Sequence, residues 1–173
     1  MSEFNKTNIL GYIMIVFIGI IIVKIYFESD SFNLKCIIST VDGNKYCVRE
    51  SAKLQLVADL LAKTTQKLKK VVEYLGETYP ERENVKRMVM NFNPKKIKEI
   101  LPTSTYTAYS ENKGEKLAFC TTVEKGGSKL IDENTLTFVA LHELSHIATK
   151  SVGHTKEFWK NFKFILQNAV KIK

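Results

Sequence analysis

Three histidines, the only three in 173 residues, crowd between Asn134 and Trp159 in NTLTFVALHELSHIATKSVGHTKEFW. They are His142, His146 and His154. In HELSH the first two stand four apart, so on an α-helix both imidazoles leave one face a single turn apart and can grip one metal ion. Glu143, offset by about 100° from His142, falls off the ligand row and towards a water on that metal. A carboxylate there suits a general base, because zinc lowers the pKa of its water to roughly 7 and the carboxylate takes the proton as the water attacks a polarised carbonyl. Few arrangements satisfy this stretch other than a buried helix facing a metal.

Catalytic zinc takes a third protein ligand and leaves a fourth position open. His154 is the natural third ligand, with Glu157 as the competitor, since zinc also accepts a carboxylate from a following helix. The HELSH helix should stop near Lys150, with Ser151-Val152-Gly153 supplying the glycine expected after a helix end. A second helix should begin around Thr155, with Phe158, Trp159, Phe162, Ile165, Leu166 and Val170 at helical spacing. A five-residue pattern arises by chance, and a histidine on an amphipathic helix is usually a core or surface residue. Here, however, Val139, Ala140, Leu141, Leu144, Ser145 and Ile147 are all uncharged. Two histidines and a glutamate on so apolar a helix are costly unless a metal and hydrogen bonds satisfy them.

HELSH followed by GHTKEFW resembles the WLM/SprT-like zincin metallopeptidases, whose pattern is an HExxH helix, a short loop, and a third histidine followed by an aromatic residue. VDGNKYCVRES, TAYSENKGEKLAFC and NTLTFVALHELSH look like the WLM-type metallopeptidases encoded by large DNA viruses, and the resemblance spans roughly residues 33 to 170. It implies an α+β zincin-like domain with a small antiparallel sheet, His142, His146 and His154 as zinc ligands, and Glu143 as catalytic acid and base. One departure is the seven residues between His146 and His154, a longer loop than many members have.

The other strong signal is at the start. Residues 9–23, ILGYIMIVFIGIIIV, carry no charge, and Ile25-Tyr26-Phe27 extends the run past Lys24. At 1.5 Å per residue this suffices to cross a hydrocarbon core of roughly 30 Å. A secretory signal is the rival reading, but Tyr26-Phe27-Glu28-Ser29-Asp30 is no A-x-A-like cleavage site. We therefore expect an uncleaved single-pass anchor and polar linker over 1–30 and the metallopeptidase domain over 31–173. Lys6 on one side and Lys24 and Lys35 on the other leave the orientation open.

Between these signals lies scaffold. Residues 34–41 and 46–49 flank Asp42-Gly43-Asn44, a hairpin signal. A two-residue turn at Asp42-Gly43 sets Cys36 against Arg49, leaving Cys36 and Cys47 diagonal, with no disulfide indicated. Three cysteines, with Cys120 far away, form no framework. Ser51 is a good N-cap for a long helix with Leu54, Val57, Leu60, Leu61, Leu68, Val71, Val72 and Leu75 on one face up to Gly76. A second helix from about Glu81 places Val85, Met88, Val89 and Phe92 on a stripe before Asn93-Pro94. Lys63, Lys67, Lys69, Lys70, Lys95, Lys96 and Lys98 make much of the +8 net charge. They read as a solvated face ahead of a nucleic-acid or anionic-lipid footprint.

A second hairpin should pair 103–110 with 117–123 across Glu111-Asn112-Lys113-Gly114-Glu115. The strand 117–123 is the expected substrate edge, and Tyr106 or Tyr109 on its partner is placed to stabilise an oxyanion. Residues 125–128 form a loop, and Asp132 or Asn134 caps the catalytic helix.

The expected function is zinc-dependent hydrolysis of a peptide bond in a protein substrate, with membrane attachment through the first helix. The alternatives are a membrane-tethered zinc-fold scaffold without turnover and a protease acting on DNA-bound proteins, nucleic acid being possible but not favoured.

Overall fold

The computed structural model describes residues 6–28, 34–101, 104–124 and 127–172. The end of the expected linker at 29–30, the first three residues of the expected domain, Thr103 of the second hairpin, and Lys125-Gly126 of the expected loop lie outside them. The chain divides into two compact units, Met1–Leu34 and Lys35–Lys173. The first is built on one helix, α1 (Lys6–Glu28), whose segment Ile9–Tyr26 is apolar and long enough to cross a membrane, with none of that window buried.

The second unit is a mixed α+β fold. Its strands are β1 (Leu34–Ile38), β2 (Lys45–Arg49), β3 (Ile97–Glu99), β4 (Ala108–Glu111) and β5 (Lys116–Phe119). Its helices are α2 (Leu54–Thr78), α3 (Glu83–Asn91), α4 (Glu133–Ala148) and α5 (Lys156–Lys171). The strands lie in the order β1-β2-β3-β5-β4. The sheet is not the antiparallel one expected: β3 runs parallel to both β2 and β5, and β4 antiparallel to β5. A parallel partner needs a long crossover; α2 and α3 supply the one from β2 to β3, and β4 lies within the one from β3 to β5. β3 escaped notice in the sequence because Lys96-Ile97-Lys98-Glu99 is short and charged at three of its four positions. Its place inside the sheet is secured by Glu99, almost fully buried, which accepts hydrogen bonds from Arg49 N (2.6 Å), Arg49 Nε (2.7 Å) and Thr121 Oγ1.

One sheet face carries Tyr46, Val48, Ile97, Leu117 and Phe119, which form a core with Val57, Leu61 and Leu68 of α2 and Leu136, Leu144 and Ile147 of α4. Each such side chain contributes roughly 1.5–3 kcal/mol of burial. The long helix starts at Leu54, later than Ser51 implied; Ser51 Oγ instead accepts from Lys53 N (3.3 Å). On α3, Val85 and Met88 are buried, whereas Val89 stays exposed.

The first hairpin turns differently from the Asp-Gly signal. Ser39 N donates to Asn44 O (2.9 Å) and Gly43 N to Ser39 O (3.1 Å), so Thr40 to Gly43 form a four-residue loop. That register opposes Cys36 and Cys47, and the two are joined in a disulfide. A tertiary contact decides it: Asp59 of α2 accepts from Ser39 Oγ (2.6 Å), Thr40 N (2.8 Å) and Thr40 Oγ1 (2.9 Å). A bridge spanning 11 positions stabilises by about 3 kcal/mol on chain-entropy grounds. We therefore expect Cys36→Ser with Cys47→Ser to lower the urea midpoint, and dithiothreitol to do the same to the parent only. Coincident unfolding curves for parent and variant would show that the bridge is absent in solution.

Candidate metal centre

Helix α4 begins at Asp132, whose carboxylate accepts from Asn134 N and Thr135 N, both 3.0 Å. Of the two caps expected, the structure uses Asp132. Leu136, Ala140, Leu141, Leu144, Ser145, Ile147 and Ala148 are buried, which fixes the rotation of the helix and turns His142 and His146 towards α5. Thr149, in an extended conformation, ends the helix. Gly153, at φ +81, lies beyond that end and serves the turn that delivers His154 rather than the C-cap. Thr155 then caps α5, accepting from Phe158 N (3.3 Å).

The return brings the three histidines together. Their candidate ligand atoms all lie within 4.8 Å of one another, and His142 Nε2 stands 2.9 Å from His154 Nε2. Ring centroids are 4.9–5.0 Å apart. Phe158, fully buried, floors the group, stacked on His146 at 4.3 Å and 4.8 Å from each of the other rings. A tetrahedral zinc with Zn–N near 2.0–2.1 Å holds its nitrogens about 3.3 Å apart, so adjustments of an ångström or so would let these three histidines accept such an ion. Burial, followed by the neighbouring histidines and Lys113, pushes His146 down to about 4, and burial and His154 push His142 down as well. Imidazoles kept neutral in this way offer lone pairs to a metal with little competition from protons.

Glu143 is 7% exposed and accepts a hydrogen bond from the Ser110 N–H. Burial pushes its carboxyl up to about 7, against that hydrogen bond. Ser110 belongs to β4, which is an edge strand of the sheet, as β1 is at the other end, whereas β5 lies inside it. The strand expected as the substrate edge, 117–123, is therefore not an edge: its β5 portion lies between β3 and β4, and residues 108–111 form the outer strand on that side. Tyr109 turns to Lys116, whose Nζ lies 5.7 Å above the ring, and Tyr106 packs against Tyr109 at 6.1 Å. Neither ring is among those touching the histidines.

Glu157 is a clamp for the loop. It accepts from Lys150 N (3.1 Å), Ser151 N (3.1 Å) and Ser151 Oγ (2.8 Å), and Arg87 approaches it at 3.7 Å. The Ser151 hydroxyl and the two amides hold its carboxyl below the usual range. Arg87 Nε also donates to Ala148 O (3.1 Å), and Lys113 Nζ donates to Thr149 O (2.9 Å) and Ser151 O (2.7 Å). These cations satisfy carbonyls left open at the end of α4. Lys113 reaches them from a hairpin tip where Asn112, Lys113 and Gly114 all have positive φ. A Cβ at Gly114 would meet Asn91 O at 2.5 Å, so only glycine fits there. Below the loop, Asn84 Nδ2 donates to Asn161 Oδ1 (3.0 Å) and Asn161 Nδ2 to Thr149 Oγ1 (2.9 Å), tying α3 and α5 to α4. Arg87, Lys113, Ser110 and the floor role of Phe158 escaped the sequence reading. No local pattern marks the first three.

No protein-family model matches this chain. The chain is similar to uncharacterized protein R325 of Acanthamoeba polyphaga mimivirus, 27% identical over 139 residues covering 78% of this chain and 70% of that one. A shorter stretch of 46 residues is 39% identical to uncharacterized protein 136R of Invertebrate iridescent virus 6, covering 27% of this chain and 26% of the relative. In three dimensions the chain is similar to the crystal structure of Wss1 from Saccharomyces cerevisiae, with a TM-score of 0.53 at 15% identity, over 72% of this chain and 86% of that one. The fold is WLM-like. At that identity the likeness concerns the fold, and the viral relatives' names assign no activity.

Proposed function

We propose that this protein is a zinc-dependent peptide hydrolase carried on an N-terminal membrane helix. The observation that carries the reading is the convergence of His142, His146 and His154 beside a buried Glu143 that faces the free edge of β4. Wss1, a WLM-domain metalloprotease, supports it by fold.

His142, His146 and His154 would hold the ion, which supplies Lewis acidity towards a carbonyl and acidity to its water. An extended substrate adds to β4 as a further strand, with backbone hydrogen bonds setting its register. Glu143, with its carboxyl near 7 before metal binds, takes a proton from the attacking water and returns it to the leaving nitrogen, matching the operating pH of a general acid and base. Phe158 keeps water from beneath the imidazoles, and the Arg87–Glu157–Lys113 brace holds the loop that presents His154. The 23 residues of α1 span about 35 Å, enough for a single crossing, with the enzyme domain following over 31–173.

The test uses the full chain in neutral detergent. One zinc per chain is expected, with hydrolysis of an unfolded protein that stops on chelation and returns with zinc. A folded chain that binds no zinc overturns the reading, and one that binds zinc without hydrolysing anything is the non-catalytic scaffold instead.

A further inference from the structure

The exposed face of α5 starts at the metal centre, and every charged residue exposed on it is a lysine, with Trp159, Gln167 and Val170 as its uncharged members. Lys156, Lys160, Lys163 and Lys171 are all exposed along it, with no acidic residue between them on that face. The nearby carboxylates are engaged elsewhere: Glu157 with Lys150, Ser151 and Arg87, and Glu133 of α4 with Lys63 (3.7 Å) and Lys67 (2.7 Å). Like charges at positions three and four apart repel and weaken a helix, so this row contributes nothing to its own fold. Within it stands Trp159, 54% exposed, with its ring tilted 30° against His154 at 5.8 Å. An exposed tryptophan against a ligand histidine is a contact surface in waiting.

We propose that this row binds an acidic segment of the polypeptide substrate, with Trp159 packing against the residue nearest the scissile bond and the lysines selecting carboxylates beyond it. The inference rests on the hydrolase reading above and adds the substrate class. From Lys156 to Lys163 the helix rises about 10 Å, the length of roughly three residues of extended chain. The selected carboxylates thus lie within three or four residues of the cut, on one side of it. A polypeptide fits better than a nucleic acid, because the row offers one exposed ring rather than a series of stacking platforms.

Trp159 is the single tryptophan of the chain, so its fluorescence reads the site directly. The experiment titrates the zinc-loaded full chain carrying Glu143→Gln, in neutral detergent, with tryptophan-free decapeptides having three central Glu or three central Gln. The Glu peptide is expected to bind roughly tenfold more tightly at low salt, with the gap closing near 0.5 M as charges are screened. Lys160→Glu with Lys163→Glu should bring the ratio to one or below, and Lys160→Gln with Lys163→Gln, which makes the smaller change to the helix, should bring it about halfway. Equal binding of both peptides, or a ratio that neither double variant moves, overturns the proposal. Tighter binding of a single-stranded oligonucleotide of equal charge also overturns it and assigns the row to nucleic acid. Parallel assays on the parent separate the two readings. Cutting Glu and Gln peptides alike keeps the hydrolase and removes the acidic selectivity, whereas salt-sensitive acidic binding without any cutting keeps the surface and removes the hydrolase.

Discussion

Glu143→Gln is expected to abolish peptide hydrolysis, by about a thousandfold or more in kcat, while one zinc per chain remains. A positioned general acid and base contributes roughly 10²–10⁴, and glutamine keeps the shape and the Ser110 contact but cannot carry the proton. The same substitution should stabilise the zinc-free protein. Burial raises the Glu143 carboxyl from 4.5 to about 7 in the folded state, so between those values the folded protein holds the proton that the unfolded chain releases. Stability relative to the glutamine variant is therefore undiminished below pH 4.5, declines as pH rises towards 7, and stays lower beyond. The full difference corresponds to about 3 kcal/mol at most. In chelator, the variant should melt higher than the parent at pH 8 and alongside it at pH 4. Hydrolysis surviving in the variant at more than a few per cent would remove Glu143 from the catalytic role, whatever the melting curves show.

The second large effect separates a ligand from a clamp. His154→Ala should lower zinc affinity on the order of a thousandfold, because it removes one of three donors and leaves an incomplete site. Glu157→Ala should lower it only about 10–100-fold, the range for groups that orient a ligand. Its carboxylate touches Lys150 N, Ser151 N and Ser151 Oγ, and the loop it steadies presents His154. Competition against a chromophoric chelator measures both. The reverse order, with Glu157→Ala the more damaging, would make the carboxylate the third ligand and the observed clamp a metal-free arrangement.

The histidine-bearing helix, its return loop and the next helix were legible because their information is local. Four-residue spacing sets two histidines on one face, uncharged neighbours bury that face, and Thr155 starts the helix that follows. The apolar start was legible for the same reason, since a charge-free run announces its own preferred surroundings. The sheet was harder. Its two hairpins showed as alternation around turn residues, but β3 is three residues long and pairs with strands whose partners lie far along the chain. Nothing within Lys96-Ile97-Lys98-Glu99 signals a central strand until Arg49 and Thr121 close around Glu99.

The local pattern alone thus names the candidate ligands: two histidines and a glutamate on one buried helix, a third histidine at return distance, and a separate apolar helix. The tertiary structure decided the rest. Asp59 of α2 set the hairpin register that joins Cys36 to Cys47, the crossover made the sheet mixed and left β4 as its edge, and Arg87, Lys113 and Glu157 converged on the loop that carries His154. The physical reason is one of range. Periodicity and capping act over a turn or a strand, whereas register, strand order and the pairing of buried or half-buried charges depend on groups that only folding brings within hydrogen-bonding distance.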